Sequence, residues 1–201
     1  MSVAAHDDIE ISILKLPGDA SQWELVMRFL TLRRSIFIHK KKWQLFDEGS
    51  IEFEQYDTAT VATYVIAHRQ GEIVAGARLL RCDTKIGPEY SYMIRDAYLK
   101  KIEIPSEICF EEPPVTSDAW EITRAISIDK TPIPMQMVLS TIHDYIQKDG
   151  GKVCLFLGPP AFLRMARRAG YEPRRVGNIA QDDSGRYLVL AFDIRQTDEA
   201  G

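Results

Sequence analysis

The stretch Ala119-Trp-Glu-Ile-Thr-Arg-Ala-Ile-Ser-Ile128 decides the fold, because it predicts a strand that carries charged side chains. Apolar residues recur with the two-residue period of a strand, at Trp120, Ile122, Ile126 and Ile128. Arg124 interrupts them on the same face, while Glu121 points to the opposite face of a regular strand. A guanidinium on an apolar face needs an anion or water. Two interpretations follow: an edge strand with two solvated charges, or a central strand that belongs to a functional site.

Strands and helices are predicted on both sides of this stretch. Period-two patterns predict strands over residues 11–16, 61–68, 72–80, 152–157 and 186–194, and Gly76 would allow another chain segment to approach closely. Three- and four-residue spacings predict helices over residues 23–37, 93–99, 135–149 and 161–169. This order predicts an α/β or α+β sandwich with a mixed sheet.

Composition predicts an ordinary globular protein in one domain, residues 1–201, with flexible ends at 1–9 and 195–201. The chain has 201 residues, of which 45% are hydrophobic and 27% charged. A net charge of -4 gives no general attraction to nucleic acid or to an anionic membrane. The first ten residues are polar and acidic, and no apolar run approaches a membrane span, which predicts a cytoplasmic protein without a signal peptide.

The cysteine and histidine positions argue against a structural metal site. Three cysteines stand far apart without a Cys-x-x-Cys pair, and the four histidines show no ligand spacing. An odd number of dispersed cysteines is typical of a reducing compartment. The sequence therefore predicts neither a disulfide framework nor a bound metal.

Residues 38–60 show no periodicity and combine basic, aromatic and acidic side chains. Long loops in compact domains are usually functional or disordered. One interpretation is a segment that folds over a site, and the other is a mobile surface loop. The aromatic side chains favour the first, because they are too apolar to leave in water: Trp43, Phe46, Phe53 and Tyr56.

A group of arginines follows the predicted strand at 152–157. Arg164, Arg167 and Arg168 lie on the predicted helix, and Arg174 and Arg175 come soon after. On an acidic protein this basic patch suits a phosphate or an acidic partner surface. A solvated helix face explains the same charges equally well.

Several segments in order resemble the acyl-homoserine-lactone synthases, the LuxI-type autoinducer synthases. Leu32-Arg33-Arg34-Ser35-Ile36-Phe37, then Trp43, then Glu54-Gln55-Tyr56-Asp57 are similar to the amino-terminal signature of that family. Gly76-Ala77-Arg78-Leu79-Leu80 resembles its second strand, Tyr92-Met93 through Tyr98 its aromatic helix, and Trp120-Glu121-Ile122-Thr123-Arg124 its Glu-x-[Ser/Thr]-Arg strand. The resemblance covers about residues 10 to 190.

The resemblance implies an N-acetyltransferase-like fold, with a central, mixed, twisted β-sheet flanked by helices, and a two-step reaction. S-adenosylmethionine is a consumed substrate: its amine attacks an acyl thioester of acyl carrier protein or coenzyme A. Its carboxylate then attacks the γ-carbon, which closes the lactone and expels methylthioadenosine. No cofactor and no metal are implied. The product would be a quorum-sensing signal.

The resemblance also implies roles for individual residues. Glu121 would accept the amine proton directly or through a water, with Arg124 and Asp57 as the other catalytic residues. Carboxylates and aromatic faces would receive the cationic groups of S-adenosylmethionine, and an arginine its carboxylate. The residues implied to bind S-adenosylmethionine are Arg33, Phe37, Trp43, Glu54, Asp57, Arg78 and Arg124.

An acyl pocket is implied beside the central strand. It would be lined by Tyr98, Ile122, Thr123, Phe156, Leu157 and Phe162. Tyr98 replaces the family's usual Phe, Glu54 its Asp and Lys42 its Gly, and Phe156 stands where members that take 3-oxo acyl chains often carry Thr. We therefore expect an acyl group without a 3-oxo substituent, in a pocket that is short or suited to branched or aryl acids.

Other features leave the acyl donor and the function class open. Residues 129–136 lack the Gly-rich pyrophosphate loop of common acetyltransferases, so that loop would not bind coenzyme A. The basic patch, Arg164, Arg167 and Arg168, could instead dock a carrier protein. Two alternatives are a generic N-acyltransferase acting on another amine and a non-catalytic binding module. An intact set of charges, including Arg33, Asp57 and Glu121, argues against the module.

Overall fold

The computed structural model describes residues 8–43, 45, 47, 49–168, 170–182 and 185–195. Its strands are β1 (Glu10–Lys15), β2 (Thr63–Arg69), β3 (Glu72–Arg81), β4 (Lys85–Ile86), β5 (Glu89–Tyr90), β6 (Ala119–Ser127), β7 (Val153–Gly158), β8 (Arg174–Arg175), β9 (Ala180–Asp182) and β10 (Gly185–Asp193). Its α-helices are α1 (Trp23–Arg34), α2 (Met93–Tyr98), α3 (Ile133–Lys148) and α4 (Ala161–Arg168). A π-helical segment, Ser35–Lys40, continues α1.

The main sheet has the strand order β1-β2-β3-β6-β7-β10-β8, with β9 beside β10. β1, β2 and β3 are antiparallel neighbours, whereas β6 and β7 run parallel. A parallel pair needs a crossover, and α3 lies in the connection between β6 and β7. The predicted mixed sheet and all four predicted helices are therefore confirmed.

β6 lies inside the sheet, so its interpretation as an edge strand is wrong. Glu121 is fully buried and Arg124 is 8% exposed. Arg124 also has φ of 54°, in the left-handed region that most side chains avoid. Periodicity could not show this, because a residue with left-handed backbone no longer follows the regular alternation of a strand.

Contacts within the fold separate the described residues into two compact units. One unit belongs to Met1–Leu79 and Arg124–Ile142, and the other to Leu80–Thr123 and His143–Gly201. The single-domain organisation stays a prediction. Of the predicted flexible ends, residues 1–7 and 196–201 lie outside the described part of the chain.

In the first unit, α1 packs its apolar side on β1 and β2. Val26, Phe29 and Leu30 of the helix form one buried cluster with Leu14 and Tyr64 of the strands. A Cβ built on Gly76 would lie 2.7 Å from the Phe29 ring, so the close approach predicted for this glycine is confirmed.

The loop at 38–60 is partly folded into the first unit. A 3₁₀ turn forms at Gln55–Asp57, Trp43 packs against the core cluster, and Tyr56 is buried. Phe53 is 44% exposed, so the prediction that all four aromatic side chains leave water is wrong for this residue. Phe46 lies outside the described residues.

In the second unit, β7 is paired on both sides and supports α4. The antiparallel pairing with β10 runs from Val153 opposite Asp193 to Gly158 opposite Leu188. The Phe156 ring folds back over Gly158, because a Cβ built on this glycine would lie 2.2 Å from a ring carbon. Among the helices of the described residues, none is both long and apolar enough to cross a membrane.

Candidate active site

Six charged side chains meet in the first unit, and we call them the charged cluster. Helix α1, the loop before β2, strand β3 and strand β6 each contribute at least one of them. The members are Arg33, Glu52, Glu54, Asp57, Arg78 and Arg124. Three guanidinium groups thus face three carboxylates, and the formal charges cancel.

Asp57 is the centre of the charged cluster. Arg33 donates to both of its carboxylate oxygens, at 2.7 and 2.9 Å, and Tyr64 donates its hydroxyl at 3.0 Å. Arg78 Nη1 lies 3.1 Å from Asp57 Oδ2. The backbone N–H of Glu54 also donates to Asp57, which closes the 3₁₀ turn as a capping box. Two-oxygen pairing of this kind fixes both the carboxylate and the guanidinium.

Glu52 and Glu54 connect Arg124 to the same network. Glu52 accepts hydrogen bonds from Arg33 and, at 3.2 and 3.1 Å, from Arg124 Nε and Nη2. Glu54 accepts from Arg124 at 2.8 Å and lies 2.6 Å from Arg78. Of the six side chains, Glu54 is the most exposed at 16%, which makes it the member most open to a ligand.

Electrostatic interactions within the charged cluster favour the ionised form of each side chain whose pKa they shift. Burial alone raises the pKa of Asp57, but Arg78 and Arg33 outweigh it and hold that pKa below its ordinary value. Burial likewise opposes ionisation of Glu54, and Arg124, Arg78 and Arg33 lower its pKa nonetheless. The buried Arg78 has a raised pKa because Asp57 and Glu54 overcome its desolvation.

An aromatic pair borders the charged cluster. Phe37 and Trp43 stack with ring centroids 4.6 Å apart and planes 19° apart. The Arg124 guanidinium carbon lies 5.3 Å from the Phe37 centroid and 5.6 Å from that of Trp43. The Lys41 ammonium lies 5.1 and 5.0 Å from the same centroids. The pair therefore offers π faces to cations, as aromatic side chains do in ammonium-binding sites.

Glu121 occupies a different environment, in the second unit. Its Oε1 accepts the backbone N–H of Ile94 at 2.6 Å, and its Oε2 accepts that of Met93 at 3.2 Å. Both donors belong to the first turn of α2. The carboxylate therefore receives backbone N–H groups that helix geometry leaves without partners.

Three buried cysteines share the unit of Glu121. All are free thiols. Burial and then the charge of Glu121 raise the pKa of Cys109 to about 12. The same two causes raise the pKa of Cys154, and they raise that of Cys82 well above its ordinary range. These thiols stay protonated at neutral pH and are poor nucleophiles.

All six residues expected to line an acyl pocket belong to the second unit. Ile122 of β6 stands opposite Phe156 of β7 in the parallel register. Phe156 and Phe162 pack with ring centroids 4.2 Å apart. Phe156, Ile122 and Thr123 are buried, whereas Tyr98, Leu157 and Phe162 are half-buried. Their role in binding an acyl chain stays a prediction.

The first three arginines of the basic patch lie on α4, and their docking role stays a prediction. Arg164, Arg167 and Arg168 are all exposed. Arg174 pairs with Asp193 at 2.8 Å, and Arg175 donates to the Gly177 carbonyl. The α4 arginines are thus the part of the patch that is open to a partner.

Three carboxylates of the charged cluster, Glu52, Glu54 and Asp57, could each offer an oxygen within 4.8 Å of the others. A metal ion bound there would compete with three guanidinium groups that already match the carboxylate charge. The arrangement is thus suited to the cations of the chain itself.

The structure unites all seven residues that were expected from the sequence to bind S-adenosylmethionine. Arg33, Phe37, Trp43, Glu54, Asp57, Arg78 and Arg124 all belong to the charged cluster or its aromatic border. Glu52 was missed, because it stood among several acidic residues of an aperiodic loop. Counting the charges would have indicated Glu52, because three buried arginines need a third carboxylate beside Glu54 and Asp57.

Comparisons with known proteins agree with the fold and the sequence motifs. The family model described as autoinducer synthase matches residues 21–200. The acyl-homoserine-lactone synthase of Pseudomonas amygdali pv. tabaci is 23% identical over 168 residues, which cover 83% of this chain and 70% of that protein.

Comparisons with solved structures agree with the fold. The CoA-dependent acyl-homoserine lactone synthase BjaI, solved with S-adenosylmethionine and isopentyl-CoA, has a TM-score of 0.77 at 16% identity, covering 93% of this chain and 84% of that one. An acyl-CoA N-acyltransferase from Pseudomonas aeruginosa has a TM-score of 0.58 at 14% identity, covering 93% and 99%. The expected N-acetyltransferase-like fold is confirmed. The chain belongs to the autoinducer synthase family, the acyltransferases that make acyl-homoserine lactones.

Proposed function

We propose that this chain joins an acyl group to S-adenosylmethionine and closes the product to an acyl-homoserine lactone. The substrate nitrogen attacks the thioester carbonyl, the thiolate leaves, and the nitrogen loses its proton. A carboxylate oxygen then attacks the γ-carbon, and the electrons of the breaking C–S bond go to the sulfonium, which leaves as methylthioadenosine. The observation that carries the proposal is the charged cluster beside the Phe37–Trp43 pair.

Within the charged cluster we assign two kinds of role. Arg33, Asp57 and Arg78 are fully buried and bound to one another, so they hold the shape of the site. Glu54 and Arg124 retain some exposure and lie at the border with the aromatic pair, so they contact the substrate. A carboxylate and two aromatic faces suit a substrate that carries both a sulfonium and an ammonium group.

Glu121 receives the amine proton through a water molecule in this proposal. Both of its oxygens accept backbone N–H groups of α2, which hold the carboxylate in one orientation. A general base acts from hydrogen-bond distance or through one intervening water. The two amides fix the direction in which the carboxylate can act.

The protonated cysteines favour direct transfer of the acyl group. An acyl-enzyme on cysteine would need a thiolate, whereas burial and Glu121 raise the pKa of Cys109 to about 12. Cys82 and Cys154 have raised pKa values as well. We therefore propose that both substrates bind before the chemistry begins.

The test is methylthioadenosine release from purified protein, S-adenosylmethionine and a panel of acyl thioesters. We expect release that depends on an acyl donor and that falls at least a hundredfold in Glu121→Gln. Binding of S-adenosylmethionine by the variant separates lost chemistry from lost folding. Acylation of another amine without methylthioadenosine would instead favour a generic N-acyltransferase. No turnover with any donor would favour a binding module.

For the acyl group we propose a chain without a 3-oxo substituent, including branched or aryl acids. Phe156 packs on Phe162 and covers Gly158, which places two rings where a longer pocket would need space. Turnover of plain, branched and 3-oxo thioesters of equal length tests this. A preference for the 3-oxo substrate would contradict it.

The proposal also concerns the acyl donor, which is either coenzyme A or an acyl carrier protein. Coenzyme A is the simpler donor, and the exposed arginines of α4 give an acidic carrier protein a place to dock. Reversing Arg164 and Arg168 to Glu should raise KM for an acyl carrier protein several-fold at low salt and leave KM for acyl-CoA unchanged. Lys152→Glu, at another exposed ion pair of the same unit, is the control. An unchanged KM for the carrier protein would exclude docking at α4.

A further inference from the structure

Lys41 is a charged residue that the sequence motifs do not include. It follows the π-helical segment Ser35–Lys40, and its backbone N–H donates to Ile36 at 2.9 Å. Lys42 then takes a left-handed φ of 60°, and the N–H of Trp43 donates to the Phe37 carbonyl at 2.9 Å. This turn returns Trp43 onto Phe37 and brings the Lys41 ammonium over both rings.

The arginines of the charged cluster are already committed to carboxylates. Arg33 bonds to Glu52 and, through two nitrogens, to Asp57. Arg78 is fully buried against Asp57 and Glu54. A substrate carboxylate that approached either arginine would have to displace a carboxylate of the chain and would lie close to others of the same charge.

Lys41 differs from these arginines in both respects. Its side chain reaches solvent, and within the described residues no carboxylate lies within 4.0 Å of its ammonium. Arg124 shares the same two aromatic faces. Burial of the ammonium, and after it repulsion by Arg124, lowers the pKa of Lys41. An anion placed beside both would relieve that repulsion.

We propose that Lys41 binds the carboxylate of S-adenosylmethionine. This assignment rests on the proposed function and gives its substrate-binding site an anion-binding residue outside the family motifs. The carboxylate is the nucleophile of lactone closure, so a cation beside it fixes the group that must reach the γ-carbon. The neutral charged cluster is left to receive the ammonium and the sulfonium of the same substrate.

The experiment compares two ligands on two proteins by calorimetry. S-adenosylmethionine carries the carboxylate, and decarboxylated S-adenosylmethionine differs only in lacking it. We expect Lys41→Met to weaken binding of the first ligand by roughly tenfold and to leave that of the second within about twofold. Lys40→Met, at the adjacent exposed lysine, is the matched control and should change neither.

Several outcomes would overturn the assignment. Equal weakening of both ligands would mean that Lys41 only supports the aromatic pair. Tighter binding of both would mean that Lys41 competes with the substrate cation for the aromatic faces. An unchanged affinity for both would mean that another residue binds the carboxylate. Methylthioadenosine release by the unaltered protein is measured beside these titrations, so failure of the proposed reaction is seen separately.

Discussion

The charged cluster and the Glu121 environment are two ways to bind carboxylates inside a protein. In the charged cluster, every carboxylate faces guanidinium groups, and both partners lose water together. Glu121 is held by two backbone N–H groups of α2. Charges that balance one another depend on every member, because removal of one leaves its partner buried and unpaired. A carboxylate held by backbone dipoles depends on the folding of one turn.

Asp57→Asn should have the largest effect on stability, because it removes the carboxylate that binds two arginines. The amide cannot accept at both positions, so Arg33 and Arg78 lose their shared counter-ion. We expect the free energy of unfolding to fall by about 3 to 5 kcal/mol, together with loss of methylthioadenosine release. Chemical denaturation measures the first and the enzyme assay the second.

Asp47→Asn is the matched control for this change. Asp47 pairs with Arg34 at 2.7 Å on the same unit, but both side chains are partly exposed. Removal of such a pair should change stability by about 1 kcal/mol or less. Equal losses in the two variants would show that burial of the charged cluster is not what makes Asp57 important.

Glu121→Gln should destabilise the fold less than Asp57→Asn. The Gln carbonyl can still accept the Ile94 N–H, but its NH₂ group would face the Met93 N–H, which is also a donor. One unsatisfied buried donor costs about 1 to 3 kcal/mol. Chemical denaturation of both variants side by side measures the difference. A larger loss in Glu121→Gln would reverse the comparison.

Lowering the pH should have the smallest of the three effects on the free energy of unfolding. It tests how much the ionised form of Asp57 stabilises the fold. Arg78 and Arg33 lower the native pKa of Asp57 despite its burial, so its ionised form stabilises the fold. That contribution is complete above the unfolded pKa of about 4 and disappears as pH falls through the native pKa. At pH 3 we expect a loss of about 1 kcal/mol from Asp57 alone.

The pH profile of Asp57→Asn isolates this contribution. The variant has no carboxylate at position 57, so its unfolding free energy should fall less between pH 5 and pH 3, measured in urea. A slope equal to that of the unaltered protein would mean that other groups carry the acid response. Glu54, whose pKa is lowered by Arg124, Arg78 and Arg33, is the first of these to examine.

Sequence patterns predicted the elements well, but not the backbone at the critical residue. The alternation from Trp120 to Ile128 correctly located β6. The left-handed φ of Arg124 could not be read, because side-chain alternation reports faces and not local backbone departures. Lone strand arginines usually face solvent, so Arg78 became informative only with its partners.

The role of Glu52 and the backbone hydrogen bonds that hold Glu121 were not predicted, for a related reason. Both depend on contacts between residues far apart in the chain: Glu52 with Arg124 across 72 positions and Glu121 with Met93 across 28. A single sequence shows which charges are present but not which ones pair. The short strands β4, β5, β8 and β9 were also missed, since two or three residues carry no period.

The Phe156 ring over Gly158 has a consequence for redesign of the proposed acyl pocket. A substitution at Gly158 alone meets the ring at 2.2 Å, so scanning that position one residue at a time would register it as intolerant. Replacement of Phe156 by a smaller residue removes the obstacle and makes new side chains at 158 possible. A library that varies positions 156 and 158 together can therefore reach shapes that a scan of position 158 alone would miss.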